Sequence, residues 1–320
     1  MIVHRDINNL PIFKNAVITI GTFDGVHTGH IQIIKQLQEE AHKINGESVI
    51  ITFDPHPRMV IHSGGSEIKL LNTLNEKIEL LSKQNIDHLV VVPFTKQFSE
   101  QSSEEYIHNF LVKKFHPHTI IIGYDHRFGN ERKGDYKLLE AFADQFNYHV
   151  KEIPQHVLNR VTISSTKIRD AVLQCDIETA NKYLGHDYFF EGLVIDGNKL
   201  GRNLGYPTAN LALRDKNKLV PGNGIYAVNV AMGNGKIEHH TSDIALLKGM
   251  MSIGVRPTIG KSERTIEVNI FDFDKDIYGK TIKVYIKNYI REEKKFNDLE
   301  ELKKAIDEDK IKVLELLSEP

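Results

Sequence analysis

Apolar residues recur along this chain with two different rhythms, and the change from one to the other divides it. In the first half, short apolar runs ("AVITIG", "SVIITF", "HLVVVP", "TIIIG", "YHVKEI") alternate with stretches of helical period. Such runs, bounded by polar segments, read as strands buried on both faces. "HIQIIKQLQEEAHKING" sets Ile31, Ile34, Leu37, Ala41 and Ile44 along one helical stripe, with Gly46 as its stop. Thr73 with Glu76, and Ser102 with Glu105, have the spacing of capping boxes. The alternation predicts a parallel sheet covered by helices on both sides, with ligands beyond the carboxyl ends of its strands.

Near residue 186 the rhythm changes. "YFFEGLVI", "IYAVNVAM", "RTIEVNIF" and "TIKVYIKN" read as strands joined by Gly- and Pro-rich turns, without helical crossovers. That pattern predicts a β-barrel or sandwich. From Asn297 onward helical period returns, with Leu299, Leu302, Ile306, Leu314 and Leu317 available for packing. Two domains are expected, 1–186 and 187–320, with a short junction at "YLGHDYFFEG" and no internal repeat.

Composition narrows the setting. A chain of 320 residues with 40% hydrophobic and 26% charged residues is long enough for two cores and too apolar to be disordered. Lys and Arg total 41 against 43 Asp and Glu, so no broad positive field awaits nucleic acid or an anionic membrane. The single cysteine, Cys175, excludes an intrachain disulfide and a thiolate-rich zinc site. "MIVHRDINNLPIFK" lacks the basic-then-apolar order of a signal peptide, and no apolar run has the length of a membrane span. A cytoplasmic protein is expected, monomeric or weakly homo-oligomeric.

Candidate chemistry lies where the first strand-like run ends. "GTFDGVHTGH" places three glycines, Asp24, His27 and His30 within ten residues, just before the helical stripe. Glycines let backbone come close to a phosphate, and His27 and His30, three apart at a helix start, face one bound group. The same stretch is equally a strand-to-helix turn with two incidental histidines. It lacks the Gly-Lys-Ser/Thr ending of a Walker loop. "ISSTKIRDAV" sets Ser164, Ser165 and Thr166 at a helix start with Arg169 behind them, a set that suits a polyphosphate or merely caps a helix. In the second half, "GRNLGYPTAN" leads a Gly-rich turn into Pro207, with oxygens on Thr208 and Asn210. Those oxygens suit a hard cation such as Mg²⁺, or simply start a strand. In "RTIEVNIF", alternation puts Thr265, Glu267 and Asn269 on one face and Ile266, Val268 and Ile270 on the other.

Taken together, the two clusters of the first half resemble the HxGH nucleotidyltransferase superfamily, whose second signature is an ISSTxxR-like stretch. With "TFDPHPRMV" and "GYDHRFGNERKGD", they resemble the adenylyltransferase half of bacterial bifunctional riboflavin kinase/FAD synthetases. "GRNLGYPTANL", "PGNGIYAV", "SIGVRPTIG", "IEVNIFDFDKDIYG" and "IREEKKF" follow in the order of that family's kinase module. The resemblance therefore spans nearly the whole chain.

It implies a Rossmann-like α/β domain with a parallel sheet, then a β-barrel kinase domain with a terminal helix. Riboflavin would be phosphorylated by ATP to FMN, and FMN adenylylated by a second ATP to FAD, with Mg²⁺ as cofactor. By the same resemblance Glu267, His27 and His30 are catalytic. Gly21, Phe23, Asp24, Gly25, Gly29, Gly123, Asp125, Ser164, Ser165, Thr166 and Arg169 would bind nucleotide in the first domain. Gly201, Arg202, Gly205 and Pro207 would do so in the second, with Thr208 and Asn210 on the metal. Pro55, His56, Pro57 and Arg291 would touch flavin. The sequence departs from the family at Ser252, often Asn, at Ile31, often Gln, and at His126, usually aromatic or small. The connection over 236–249 is also long. The alternatives are a non-catalytic flavin-binding or flavin-sensing protein and an adenylyltransferase for another small phosphate, both of which would leave part of the motif set idle.

Overall fold

Four runs apolar enough to be buried on both faces form the centre of the first sheet: β2 (Val17–Ile20), β3 (Ser48–Asp54), β4 (His88–Pro93) and β5 (Thr119–Gly123). The more exposed β1 (Ile2–His4) and β6 (His149–Ile153) close its edges. All six pair in parallel, in the order β1, β4, β3, β2, β5, β6. The chain thus runs outward from β2 through β3 to β4, then returns to β5 on the other side of β2. That reversal creates a crevice at the carboxyl ends of β2 and β5, where open parallel sheets bind ligands. The computed structural model describes residues 1–61, 68–154, 163–197, 201, 204–232, 246–258 and 261–318.

Helix α1 (Thr28–Lys43) buries Ile34, Leu37 and Ala41 along the expected stripe. It begins at Thr28, so the turn into it is tighter than the apolar pattern alone suggests. Helix α2 (Leu74–Ser82) carries a complete capping box: Glu76 N–H donates to Thr73 Oγ1 (3.3 Å) and Thr73 N–H to Glu76 Oε2 (2.8 Å). The chain separates into two compact units, Met1–Ser165 and Thr166–Pro320.

Helix α3 (Ser165–Leu173) opens at the boundary, and it and α4 (Ile177–Leu184) precede the barrel of the second unit. Its strands are β7 (Tyr188–Ile195), β8 (Ala209–Ala212), β9 (Gly224–Met232), β10 (Leu247–Thr258), β11 (Lys261–Ile270) and β12 (Thr281–Arg291). They close antiparallel in the order β10, β11, β8, β7, β12, β9, which selects barrel over sandwich. Closure removes the exposed sheet edge. Ile266, Val268 and Ile270 are buried on one face of β11, as alternation requires. Helix α4 is sewn to the barrel through Asn181, whose Nδ2 donates to Ile286 O (2.9 Å) and whose Oδ1 accepts from Tyr188 N (2.7 Å). The terminal helix α5 (Leu299–Leu316) packs Ile306, Val313, Leu314 and Leu317 against Ala227, Met250, Phe271 and Ile290. Leu299 takes no part: as the first residue of α5 it is 57% exposed.

Candidate active sites

The first site starts from the turn between β2 and α1. Gly21 N–H still donates to Ile51 O (3.0 Å), extending the sheet by one rung. The backbone then enters the left-handed region at Phe23 (φ 48°), Gly25 (φ 89°) and Val26 (φ 41°). A β-branched residue there costs about 1–3 kcal/mol and persists only where its surroundings hold it. Phe23 and Val26 are both 1% exposed, so burial supplies that hold. Asp24 is buried as well. Its carboxylate accepts from Leu71 N (3.0 Å) and Asn72 N (3.2 Å), and its carbonyl accepts from Ser165 Oγ (2.9 Å). Asp24 therefore ties two distant segments, 71–72 and the start of α3, to the turn.

His27 caps α1: its Nδ1 accepts from His30 N at 3.4 Å. The two imidazoles stack with centroids 3.6 Å apart and planes 18° off parallel, and Phe23 lies 4.9 Å from the His30 ring. Among the described residues His30 Nδ1 is sealed from solvent without a hydrogen-bond partner. Burial first, then His27 and the Lys77 ammonium, hold His30 well below the ordinary histidine range. Burial thus favours its neutral form, which still carries one N–H to donate. Gly29 lies between the two histidines in the first turn of α1.

Other expected groups follow the carboxyl ends of β3 and β5 or lie at the start of α3. Pro55, His56 and Pro57 follow the end of β3, where the Asp54–Pro55 bond is cis and His56 Nδ1 accepts from Arg58 N (3.2 Å). Gly123 ends β5 and Asp125 stands exposed two residues on. Ser164 precedes α3, Ser165 and Thr166 lie in its first turn, and Arg169 follows one turn later. His126 Nε2 is enclosed without a hydrogen-bond partner among the described residues, and burial pushes the ring down to about 4.

The second site is built by register. On the barrel Glu267 of β11 pairs with Asn210 of β8 on one side and Ser252 of β10 on the other. Thr208 Oγ1 donates to Glu267 Oε2 at 3.1 Å, which brings hydroxyl, amide and carboxylate together. The turn before them is held by Tyr206 N–H donating to Gly201 O (2.8 Å) and by Asn269 Nδ2 donating to Pro207 O (2.7 Å). A Cβ at Gly201 would lie 2.3 Å from the Tyr206 carbonyl oxygen, so only glycine fits there. Gly205 takes φ 85° in the same turn. Arg202 and most of the 236–249 connection lie outside the described residues. Arg291 is occupied by the helix: its Nε and Nη2 donate to Asp309 of α5 at 2.9 and 2.7 Å, and its Nη1 to Glu292 O at 2.8 Å.

Sequence reasoning missed Lys77. It lies on α2, only 6% exposed, with Nζ donating to Thr52 Oγ1 at 3.3 Å near the end of β3. The available signal was its place three residues after Leu74 and four before Leu81, where an amphipathic helix puts an apolar residue. Asn269, which alternation set on the face of Glu267 without a role, braces Pro207, and Asp309, which braces Arg291, was missed for want of any local pattern.

Comparison with known proteins covers both units. A family model described as FAD synthetase matches residues 10–167, and one described as riboflavin kinase matches 184–317. A bifunctional riboflavin kinase/FMN adenylyltransferase of Buchnera aphidicola subsp. Schizaphis graminum is 38% identical over 310 residues, 95% of each chain. Its counterpart in Haemophilus influenzae is 35% identical over 298 residues, 93% of each, and that of Listeria monocytogenes 36% identical over 296 residues, 92% of this chain and 90% of the relative. A crystal structure from Streptococcus pneumoniae, described as a macrolide-efflux protein, covers 97% of both chains with a TM-score of 0.84 and 29% identity. Among the described residues here, no helix is long and apolar enough to cross a membrane.

Proposed function

This chain belongs to the bifunctional riboflavin kinase/FMN adenylyltransferase family, and on that premise we propose that it makes FAD from riboflavin in two ATP-dependent steps. The observation that carries the reading is that one chain pairs the stacked His27–His30 turn with the Thr208–Glu267–Asn210 group, over the full span of its bifunctional relatives. We assign the first step to the barrel within 187–320 and the second to the sheet within 1–186. The balanced charge and the ATP requirement fit a cytoplasmic enzyme.

In the kinase step the 5′-hydroxyl of riboflavin attacks the γ-phosphorus of ATP and ADP leaves. Glu267 orients that hydroxyl and takes its proton. Thr208, donating to the same carboxylate, fixes its direction. Thr208 and Asn210 offer hard oxygens, so they fit Mg²⁺ held together with the phosphates. Among the described residues no cluster of three His, Cys, Asp or Glu side chains is placed to hold a metal by itself. When bound, Mg²⁺ supplies charge neutralisation and alignment to the transferring phosphoryl group.

In the second step an FMN phosphate oxygen attacks the α-phosphorus of ATP, the α–β bridge breaks and pyrophosphate departs. The nucleophile is already anionic, so the protein needs no strong base. His27 and His30 donate hydrogen bonds to charge that builds on the α-phosphate and leaving group, with Ser165, Thr166 and Arg169 on the distal phosphates. A neutral His30 fits this part, since no buried cation must be maintained before ATP arrives. Purified protein incubated with riboflavin, ATP and Mg²⁺ should yield FMN and then FAD on chromatography. Both steps should stop with EDTA and resume with added Mg²⁺. Formation of neither flavin nucleotide would return a flavin-binding role to first place.

A further inference from the structure

We infer that Lys77 is a substrate-binding residue of the adenylyl-transfer site, its ammonium holding the FMN phosphate as that phosphate approaches ATP. The inference rests on the adenylyltransferase reading above and adds to it a group that the sequence motifs do not contain.

An ammonium has three protons to donate and is strongly hydrated in water. Taking it out of water is costly unless anions or good acceptors replace the solvent. Lys77 is 94% buried by its 6% exposure, yet among the described residues Nζ makes one hydrogen bond, a 3.3 Å contact to the neutral hydroxyl of Thr52, and no ion pair. Thr52 Oγ1 in turn donates to Thr22 O (3.2 Å), inside the turn that carries His27. The carboxylates that act on Lys77 are Asp24 and Asp54. Asp24 spends its oxygens on the Leu71 and Asn72 amides. Asp54 is exposed at the end of β3. Among the described residues the cation is therefore short of acceptors, and burial pulls its pKa down, which those two carboxylates only partly oppose. An incoming phosphate would supply what is missing.

Position decides which phosphate. Lys77 is anchored on β3, and the sheet order sets β3 on one side of β2 and β5 on the other. Pro55, His56 and Pro57, assigned above to flavin, continue directly from β3. Gly123 and Asp125, assigned to ATP, continue from β5. Lys77 thus lies on the flavin side of the His27–His30 pair while its field still reaches His30. Two polyanions must come within bonding distance there, and their repulsion is the barrier that a cation between them lowers. The four-carbon stem and single weak contact let Nζ turn from Thr52 toward the acceptor.

The test is Lys77→Met, which keeps the apolar stem and removes the charge. With FMN supplied, KM for FMN should rise about 10- to 100-fold, the range for losing a hydrogen bond to a charged group. The kcat/KM for FMN should fall about 10²–10³-fold. KM for ATP in that step and the rate of riboflavin phosphorylation should each stay within two-fold. Unchanged FMN kinetics overturn the assignment, and so does a rise confined to KM for ATP. Wild-type protein that makes no FAD sinks the adenylyltransferase reading together with this one. Wild-type FAD formation beside an unaffected Lys77→Met variant removes Lys77 alone. Should Lys77→Met lose the kinase step too, wild-type protein labelled with ¹⁵Nζ-lysine decides, the Lys77 resonance being identified by its loss in Lys77→Arg. A shift of that resonance with FMN and none with riboflavin supports phosphate contact, and no FMN-specific shift overturns it.

Discussion

Glu267 and His30 stand in different units, so single substitutions at each separate the two proposed reactions. Glu267→Gln keeps size and the Thr208 contact but removes the proton acceptor. FMN formation should fall about 10²–10⁴-fold, the usual cost of losing a general base, while supplied FMN still becomes FAD. His30→Ala should leave the kinase step intact and let FMN accumulate unconverted. Assays of each variant with riboflavin and with FMN read both outcomes, and either variant blocking the other's step would undo the division of labour. These residues were legible because their neighbours in sequence carry the chemistry. His30 sits inside one ten-residue motif, and the alternation around Glu267 sets its face. Lys77 was illegible for the converse reason. A lysine in a capped helix looks solvated until the register of α2 over β3 shows that its stem points inward.

Among the elements, α5 is fastened to the barrel by an ion pair as well as by its apolar face. Its apolar contacts are few and Leu299 is solvent-facing, while Arg291 and Asp309 bind through two parallel N–H···O bonds. Removing one partner of a buried pair costs about 3–5 kcal/mol, because the other is left uncompensated. Asp309→Ala should therefore lower the melting temperature of the kinase unit by about 6–20 °C, at about 2–4 °C per kcal/mol in a domain of this size. Arg291→Met with Asp309→Leu should recover most of that loss by calorimetry, whereas an unchanged melting point in Asp309→Ala would show that the pair does not lock the helix. Element by element, the long apolar runs gave β2 to β6, β7, β9, β11 and β12 their places. Three strands were harder to read, β8 because its four residues follow directly on the Gly-rich turn. β1 has three residues and gains its identity only by pairing with β4. In β10, "LKGMMSIGVRPT" is broken by glycines that weaken any strand pattern. A Cβ at Gly249 would lie 2.6 Å from the Asn269 carbonyl oxygen, so the strand pairing itself excludes the residues by which a strand is recognised.

For the whole molecule, the alternation of rhythms predicted two bodies, and the compact division falls between Ser165 and Thr166. Helices α3 and α4 look in sequence like a continuation of the first half, since helical period says nothing about which core a helix serves. Asn181 bonds to Ile286 and Tyr188, and Gly222 N–H donates to Val172 O (3.2 Å), joining both helices to the barrel. A fragment 166–320 should then be more soluble and melt higher than 187–320, and should phosphorylate riboflavin without making FAD. Equal melting points of the two fragments would show that α3 and α4 are dispensable to the barrel. The bond from Ser165 Oγ to Asp24 O has a further consequence, in time and not in energy. It joins residues 141 positions apart, whereas Thr208 and Glu267 are separated by 59. At synthesis rates of about 5–20 residues per second, Asp24 leaves the ribosome roughly 7–28 s before Ser165 follows it. The nascent chain therefore makes the four later strands of the parallel sheet before this tie can form, and the last residue of the first unit is the one that supplies it.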